Sequence, residues 1–197
     1  MSWKTFIESH FGCIAAIDTF TVEVLTFAGF VRYHVLFVIG IATRQVEITG
    51  ITNNACGAWT EQIARNLTDE FDGFLRDVRY LIMDRDPIFT DHLRQILRWR
   101  GVEAVRLPAR SPNLNSFAER FVLSIKSECL SKIIPLGEGH LRCAIREFVE
   151  HYHSERPHQG IDNVLIDQPS GAANDDGEIF CTERLGGVLK HFRRSAA

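Results

Sequence analysis

Three acidic residues stand where a fold gathers chemistry. Asp18 closes the short apolar run Cys13-Ile-Ala-Ala-Ile17. Asp84 follows the apolar run Tyr80-Leu-Ile-Met83. Glu119 sits near the start of a stretch with helical periodicity. In sheets flanked by helices, the ends of strands and the adjoining starts of helices are where functional groups converge. Three carboxylates brought together repel one another, and some are driven to hold a proton unless a cation lies among them. Hard oxygen donors suit Mg²⁺ or Mn²⁺, and two such ions side by side can clamp the attacking and leaving oxygens of a phosphodiester. Each acid also has an ordinary reading as a turn residue or helix cap. Asp86, two residues beyond Asp84 and followed by Pro87, competes with Asp84 for the role and also reads as a loop acid.

The elements that must place these acids follow from hydrophobic pattern. Cys13–Asp18, Val31–Ile39 and Gln45–Ile51 are short and rich in β-branched and aromatic residues, as three consecutive strands require. From Ala55 to Phe71 the period changes: Trp59, Ile63, Leu67 and Phe71 recur every four residues, predicting one helix. Tyr80–Met83 reads as a fourth strand, Phe89–Arg100 as a helix that Gly101 terminates, and Val102–Leu107 as a fifth strand before a loop over Pro108–Pro112. Two helices follow. One carries Ala118, Phe121, Val122, Ile125 and Cys129 on a single face; the other carries Leu141, Ala144, Ile145, Phe148, Val149 and Tyr152. On the first of these, Glu119 lies about 100° from Ala118 and flanks the buried face, with Lys126 two turns further along the same stripe. The resulting order, βββαβαβαα, predicts an α/β protein with a five-stranded mixed sheet and helices on both faces, matching the ribonuclease H-like fold. The expected division is a core over 1–160 and a loop-rich tail over 161–197, whose basic, aromatic end Gly186–Arg194 reads as a frayed terminus.

Bulk properties narrow the class. The chain has 197 residues, enough for one domain with a full core. No apolar run is long enough to span a bilayer, and the first ten residues lack a basic segment followed by an apolar one, so neither a membrane span nor a secretion signal is expected. Five dispersed cysteines, odd in number and without a C-x-x-C pair, predict buried reduced thiols in the cytoplasm. The net charge of −3 speaks against a stand-alone nucleic-acid binder, yet from Arg94 to Lys132 eight Lys and Arg face three Glu, a local balance of +5.

Three blocks carry a resemblance: Ile17-Asp-Thr-Phe-Thr-Val22, Asp84-Arg-Asp-Pro-Ile-Phe89, and Ser111-Pro-Asn-Leu-Asn-Ser-Phe-Ala-Glu-Arg120 with Lys126-Ser-Glu-Cys-Leu130 behind it. They resemble the blocks of the DDE-type transposase and retroviral-integrase superfamily, in particular the integrase cores of bacterial insertion-sequence transposases. The family's second acid is followed five residues later by an aromatic, which Asp84 and Phe89 satisfy and Asp86 does not. Asp84 and Glu119 are 35 residues apart, inside the family's spacing of thirty-odd; Asp86 would give 33.

The resemblance implies a catalytic core that nicks DNA and joins strands with two Mg²⁺ or Mn²⁺ ions. Asp18 and Asp84 would share one ion, Asp18 and Glu119 the other. It implies DNA contacts from Lys126, Arg120, Asn113 and Asn115; the two asparagines could position DNA or metal-bound water, and read equally as turn and cap residues for the next helix. It implies DNA as partner (transposon ends and target), self-association, and a location with the nucleoid. Tyr152-His-Ser-Glu-Arg-Pro-His158 resembles the family's block after the last helix, with His153 in place of the usual Asn; His151, His153 and His158 read as surface histidines near a helix end. Related transposases carry a helix-turn-helix region ahead of this core, so a fragment, or a separate helix-turn-helix subunit, is expected. Two alternatives stay open: a ribonuclease H-like nuclease that does not join ends, and a catalytically silent DNA-binding remnant.

Overall fold

The computed structural model describes residues 2–108, 115–161, 163–167 and 178–194. Asn113 and most of the Ser111–Asn115 run therefore lie outside the described residues. The elements in chain order are α1 (Trp3–His10), β1 (Ile14–Thr26), β2 (Gly29–Gly40), β3 (Val46–Thr52), α2 (Gly57–Leu67), β4 (Tyr80–Met83), α3 (Asp91–Trp99), β5 (Glu103–Arg106), α4 (Ser116–Glu128), α5 (Gly137–Ser154), β6 (Ile179–Arg184) and β7 (Leu189–Arg194). Five strands form one sheet in the order β3-β2-β1-β4-β5. β2 and β3 pair antiparallel, whereas β1 pairs parallel with β4 and β4 with β5. This is the expected mixed five-stranded sheet. By contacts the chain divides into two units, Met1–Glu23 with Val31–Val122, and Val24–Phe30 with Leu123–Ala197.

In the first unit, side-chain alternation sorts the sheet into two faces. Ala15 and Ile17 of β1, Leu36 and Val38 of β2, and Leu81 and Met83 of β4 face one way and pack with Ile63, Ala64 and Leu67 of α2 and Leu93, Ile96 and Leu97 of α3. Residues between them face the other way: Phe37 of β2 meets Phe20 of β1 and Phe121 of α4, with ring centroids 6.0 and 4.7 Å apart. Helices thus cover both faces. Because both faces are buried, Val35–Ile39 reads as an uninterrupted apolar run.

Several boundaries differ from expectation. β1 does not end at Asp18; it runs on to Thr26 as one arm of a hairpin with β2. A helix, α1, precedes it, with Ser2 Oγ accepting from the Thr5 amide and Phe6 and His10 set against Tyr80. α2 stops at Leu67, and Phe71 is 87% exposed. The reason is geometric. A spacing of four residues advances about 40° beyond a full turn each time, so Phe71 would already have drifted off the stripe. The turn is closed by Asp69, whose carboxylate accepts from the Phe71 amide, and by Gly73. Of five free cysteines only Cys129 is buried; Cys56 and Cys181 are exposed.

In the second unit, the expected loop-rich tail contains a two-stranded antiparallel hairpin, β6 against β7. Arg184 ties it to α5 through Glu155 and Glu147, at 2.8 and 3.1 Å, and Leu189 is buried. The hairpin hangs on ion pairs and one apolar anchor, so it leaves little hydrophobic pattern to read.

Gly73 gives a test of the turn that ends α2. A Cβ there would fall 2.5–2.6 Å from backbone atoms of Asp69 and Leu67. Gly73→Ala is expected to cost roughly 1–3 kcal/mol in thermal unfolding, whereas Gly12→Ala, in open space, should be near neutral.

Candidate active site

The parallel register of β1 and β4 decides where the first two acids point. Ala15 pairs with Leu81 and Ala16 with Ile82. Asp18 and Asp84 each lie two residues beyond the last of these pairs. Asp84 directly follows the end of β4, while a step of two along β1 returns a side chain to the same face, so Asp18 belongs to the face of Ala16 and Ile82, opposite Ile17 and Met83. That is the face Phe37 shares with Phe121 of α4. Ala118 and Phe121 are fully buried and anchor the start of α4, while Glu119, in its first turn, is exposed on the flank. A carboxylate in a first turn is also favoured by the helix dipole.

The acids sense one another. Burial is the largest cause that lifts the Asp18 carboxyl from its ordinary 3.8 to about 6; the Thr19 amide opposes it, and the charges of Asp84, Glu119 and Asp86, in that order, raise it further. The Thr19 amide donates to Asp18 Oδ1 at 2.7 Å, and Asn115 Nδ2 donates to Asp18 Oδ2 at 3.4 Å. Asp84 Oδ1 accepts from the Asp86 amide at 3.0 Å. Asp86 Oδ1 in turn accepts from the Ile88 amide at 3.0 Å, which uses Asp86 as a turn residue before α3.

Proximity falls short of a closed shell. Among the described residues no group of three His, Cys, Asp or Glu stands close enough to hold a metal ion as placed. Ionised carboxylates repel, so a tight triad of them is not a stable arrangement by itself. The donor set nonetheless fits a hard divalent cation: it is all oxygen, it carries several negative charges, and it is accompanied by the buried Oδ1 of Asn115, which has no hydrogen-bond partner among the described residues.

The remaining candidates are placed as follows. Arg120 and Lys126 are exposed on α4. Asn115, read as a cap or DNA contact, is 5% exposed and turned toward Asp18. The expectation of surface histidines is corrected: His151 and His158 are buried. His151 Nδ1 lies 2.7 Å from Glu155 Oε2, and His158 Nε2 donates to the Tyr152 carbonyl. Arg156, in the same block, forks onto Glu128 with bonds of 2.8 and 3.1 Å. The block packs α5 against the end of α4 through these partners. The Asn115–Asp18 contact is what the sequence reading missed; its signal was an asparagine four residues ahead of Glu119.

Residues 100–164, about a third of the chain, match the family model for the integrase core domain. That span contains Asn115, Glu119, Arg120 and Lys126. Among solved structures, the catalytic core domain of BIV integrase is similar at 14% identity and a TM-score of 0.53, covering 76% of this chain and 88% of that one. The HTLV-2 integrase catalytic core domain, solved in complex with magnesium, is similar in its trimeric form at 12% identity and a TM-score of 0.56, covering 79% and 93%. Its dimeric form gives 13% identity and a TM-score of 0.51, covering 72% and 86%. No curated protein matches the chain significantly. The fold is thus that of the integrase catalytic cores. Among the described residues, no helix is long and apolar enough to cross a membrane.

The electrostatics predict a pH dependence. Below pH 3.8 the Asp18 carboxyl holds its proton folded or unfolded. Between 3.8 and about 6 the unfolded chain ionises first, so this group costs stability as pH rises, and the full cost stands above 6. In buffer without divalent cations, Asp18→Asn is therefore expected to be more stable than wild type at pH 7, by on the order of 2 kcal/mol. The gap should close toward pH 4. Denaturant unfolding at both pH values measures it, and a less stable variant at pH 7 would contradict the electrostatic account.

Proposed function

We propose that the chain is the catalytic core of a DNA transposase or integrase, in which Asp18, Asp84 and Glu119 hold two Mg²⁺ or Mn²⁺ ions for phosphodiester hydrolysis and strand transfer. The observation that carries this reading is the half-buried Asp18 carboxyl, flanked by the charges of Asp84 and Glu119, in a fold shared with integrase catalytic cores. Burying one carboxylate among others opposes stability, and such an arrangement is characteristic of sites built for cations or catalysis.

In this reading Asp18 is the central ligand, shared between one ion with Asp84 and one with Glu119. Bound there, the ions supply Lewis-acid polarisation of the scissile phosphate and acidify the attacking water or 3′-hydroxyl. Asp18 and Asp84, at adjacent parallel strands, fix the spacing of the ligands. Glu119 enters from α4 and closes the set. The Thr19 amide holds Asp18 Oδ1 and orients the carboxylate. Lys126, seven residues along α4 from Glu119, together with Arg120 and Asn113, would meet the phosphates of transposon ends and target DNA. Strand transfer joins two DNA substrates, and a self-associated form is the expected working state, located with the DNA it acts on. Asp84 is preferred to Asp86 because Phe89 follows it five residues on and its charge acts more strongly on Asp18; both carboxylates accept one backbone amide, Asp84 from Asp86 and Asp86 from Ile88.

The test uses oligonucleotides carrying the element's ends. Wild type with Mg²⁺ or Mn²⁺ is expected to nick and join them. Asp18→Ala, Asp84→Ala and Glu119→Ala each forfeit several kcal/mol of charge stabilisation and should lose roughly 10³-fold or more in rate with the fold retained. Nicking without joining would favour a simple nuclease, and full activity in the alanine variants would overturn the assignment. Lys126→Ala is expected to weaken DNA binding and to lower the slope of log K against log salt by about one.

A further inference from the structure

The side chain of Asn115, just ahead of α4, is almost wholly enclosed, at 5% exposure. Its Nδ2 donates to Asp18 Oδ2 at 3.4 Å. Its Oδ1 is buried and, among the described residues, has no hydrogen-bond partner. A cap for α4 would use that oxygen to accept from an amide of the first turn, and it accepts from none. Reversing the amide gives no relief, because Oδ1 would then face a carboxylate oxygen, acceptor against acceptor. Nearly all buried polar atoms in folded proteins find a partner, and an orphan calls for an explanation such as an ion or water. The amide of this residue sits against Asp18, which is itself half-buried.

We propose that Asn115 is a positioning residue of the carboxylate site: Nδ2 holds Asp18 Oδ2 in place, and Oδ1 is the acceptor for a water that accompanies the bound divalent cation. This inference rests on the reading of Asp18, Asp84 and Glu119 as cation ligands and adds a neutral oxygen to their side of the pocket. Of the roles open to this asparagine, helix cap, DNA contact or holder of a metal-bound water, it assigns the last and adds the hold on Asp18. Groups that orient metal ligands and their waters characteristically affect metal affinity 10- to 100-fold when removed.

The experiment compares wild type, Asn115→Leu and Asn115→Asp by calorimetric titration with Mn²⁺ and by thermal unfolding without metal. Leucine keeps the volume and removes both polar atoms; aspartate keeps an acceptor oxygen. Asn115→Leu is expected to unfold at an equal or higher temperature than wild type without metal, and to bind Mn²⁺ at least about tenfold more weakly. Asn115→Asp should return Mn²⁺ affinity toward that of wild type. A purely structural asparagine gives the opposite pair of results in the leucine variant, a lower melting temperature and unchanged Mn²⁺ affinity, and that pattern overturns the proposal. If Asn115→Leu does not fold, Asn115→Ala measured against Asn115→Asp decides the same question. Absence of Mn²⁺ binding in wild type would instead remove the cation site itself, and the role of Asn115 with it.

Discussion

A carboxylate half-buried among other carboxylates is the constraint on which this structure turns. Asp18 has lost much of its water, stands in the field of Asp84, Glu119 and Asp86, and is raised to about 6 as a result. One backbone amide and one asparagine amide offset part of that cost. A fold built for stability alone would place an apolar residue there, as it does at Ala16 and Phe20 on the same face. The energetic penalty is coherent if the acids are complementary to positive charge brought in from outside the chain.

The scaffold sets these acids near enough for their charges to act on Asp18. Parallel pairing of β1 with β4 puts their alternating side chains in step, with Asp18 two residues beyond a common rung and Asp84 just past the end of β4. The opposite face is saturated by α2 and α3, which leaves the acid face to α4. Full burial of Ala118 and Phe121 then fixes the rotation of α4 and sets Glu119 on its flank. Position comes from apolar packing and chemistry from the few polar residues it carries along.

Much of this was legible because it is written in period and spacing. The five strands, the stripes of α4 and α5 and the termination of α3 at Gly101, which has φ +82°, follow from alternation, helical repeat and glycine's freedom. Failures came where a local rule lost to a competing interaction. Phe71 matched a four-residue spacing, but Asp69 turned the chain away first. Asp18 was read as ending a strand, yet β1 continues to Thr26, because apolar residues resume on its buried face at Phe20, Val22 and Val24. The β6–β7 hairpin was read as tail because its anchor is Arg184 among Glu147 and Glu155, partners remote in sequence. His151 and His158 were read as surface residues, whereas hydrogen bonds within their own unit allow them to be buried. Asn115 stays open in sequence between cap, DNA contact and holder of metal-bound water, because these differ only in which amide atom is engaged; its contact with Asp18 is not legible there.

The most direct measurement is anomalous diffraction from crystals of the chain equilibrated with Mn²⁺. The account predicts density within about 2.0–2.2 Å of Asp18 oxygens and of an oxygen from Asp84 or Glu119. Crystals with no manganese at Asp18, or with manganese bound only at other residues, would contradict it.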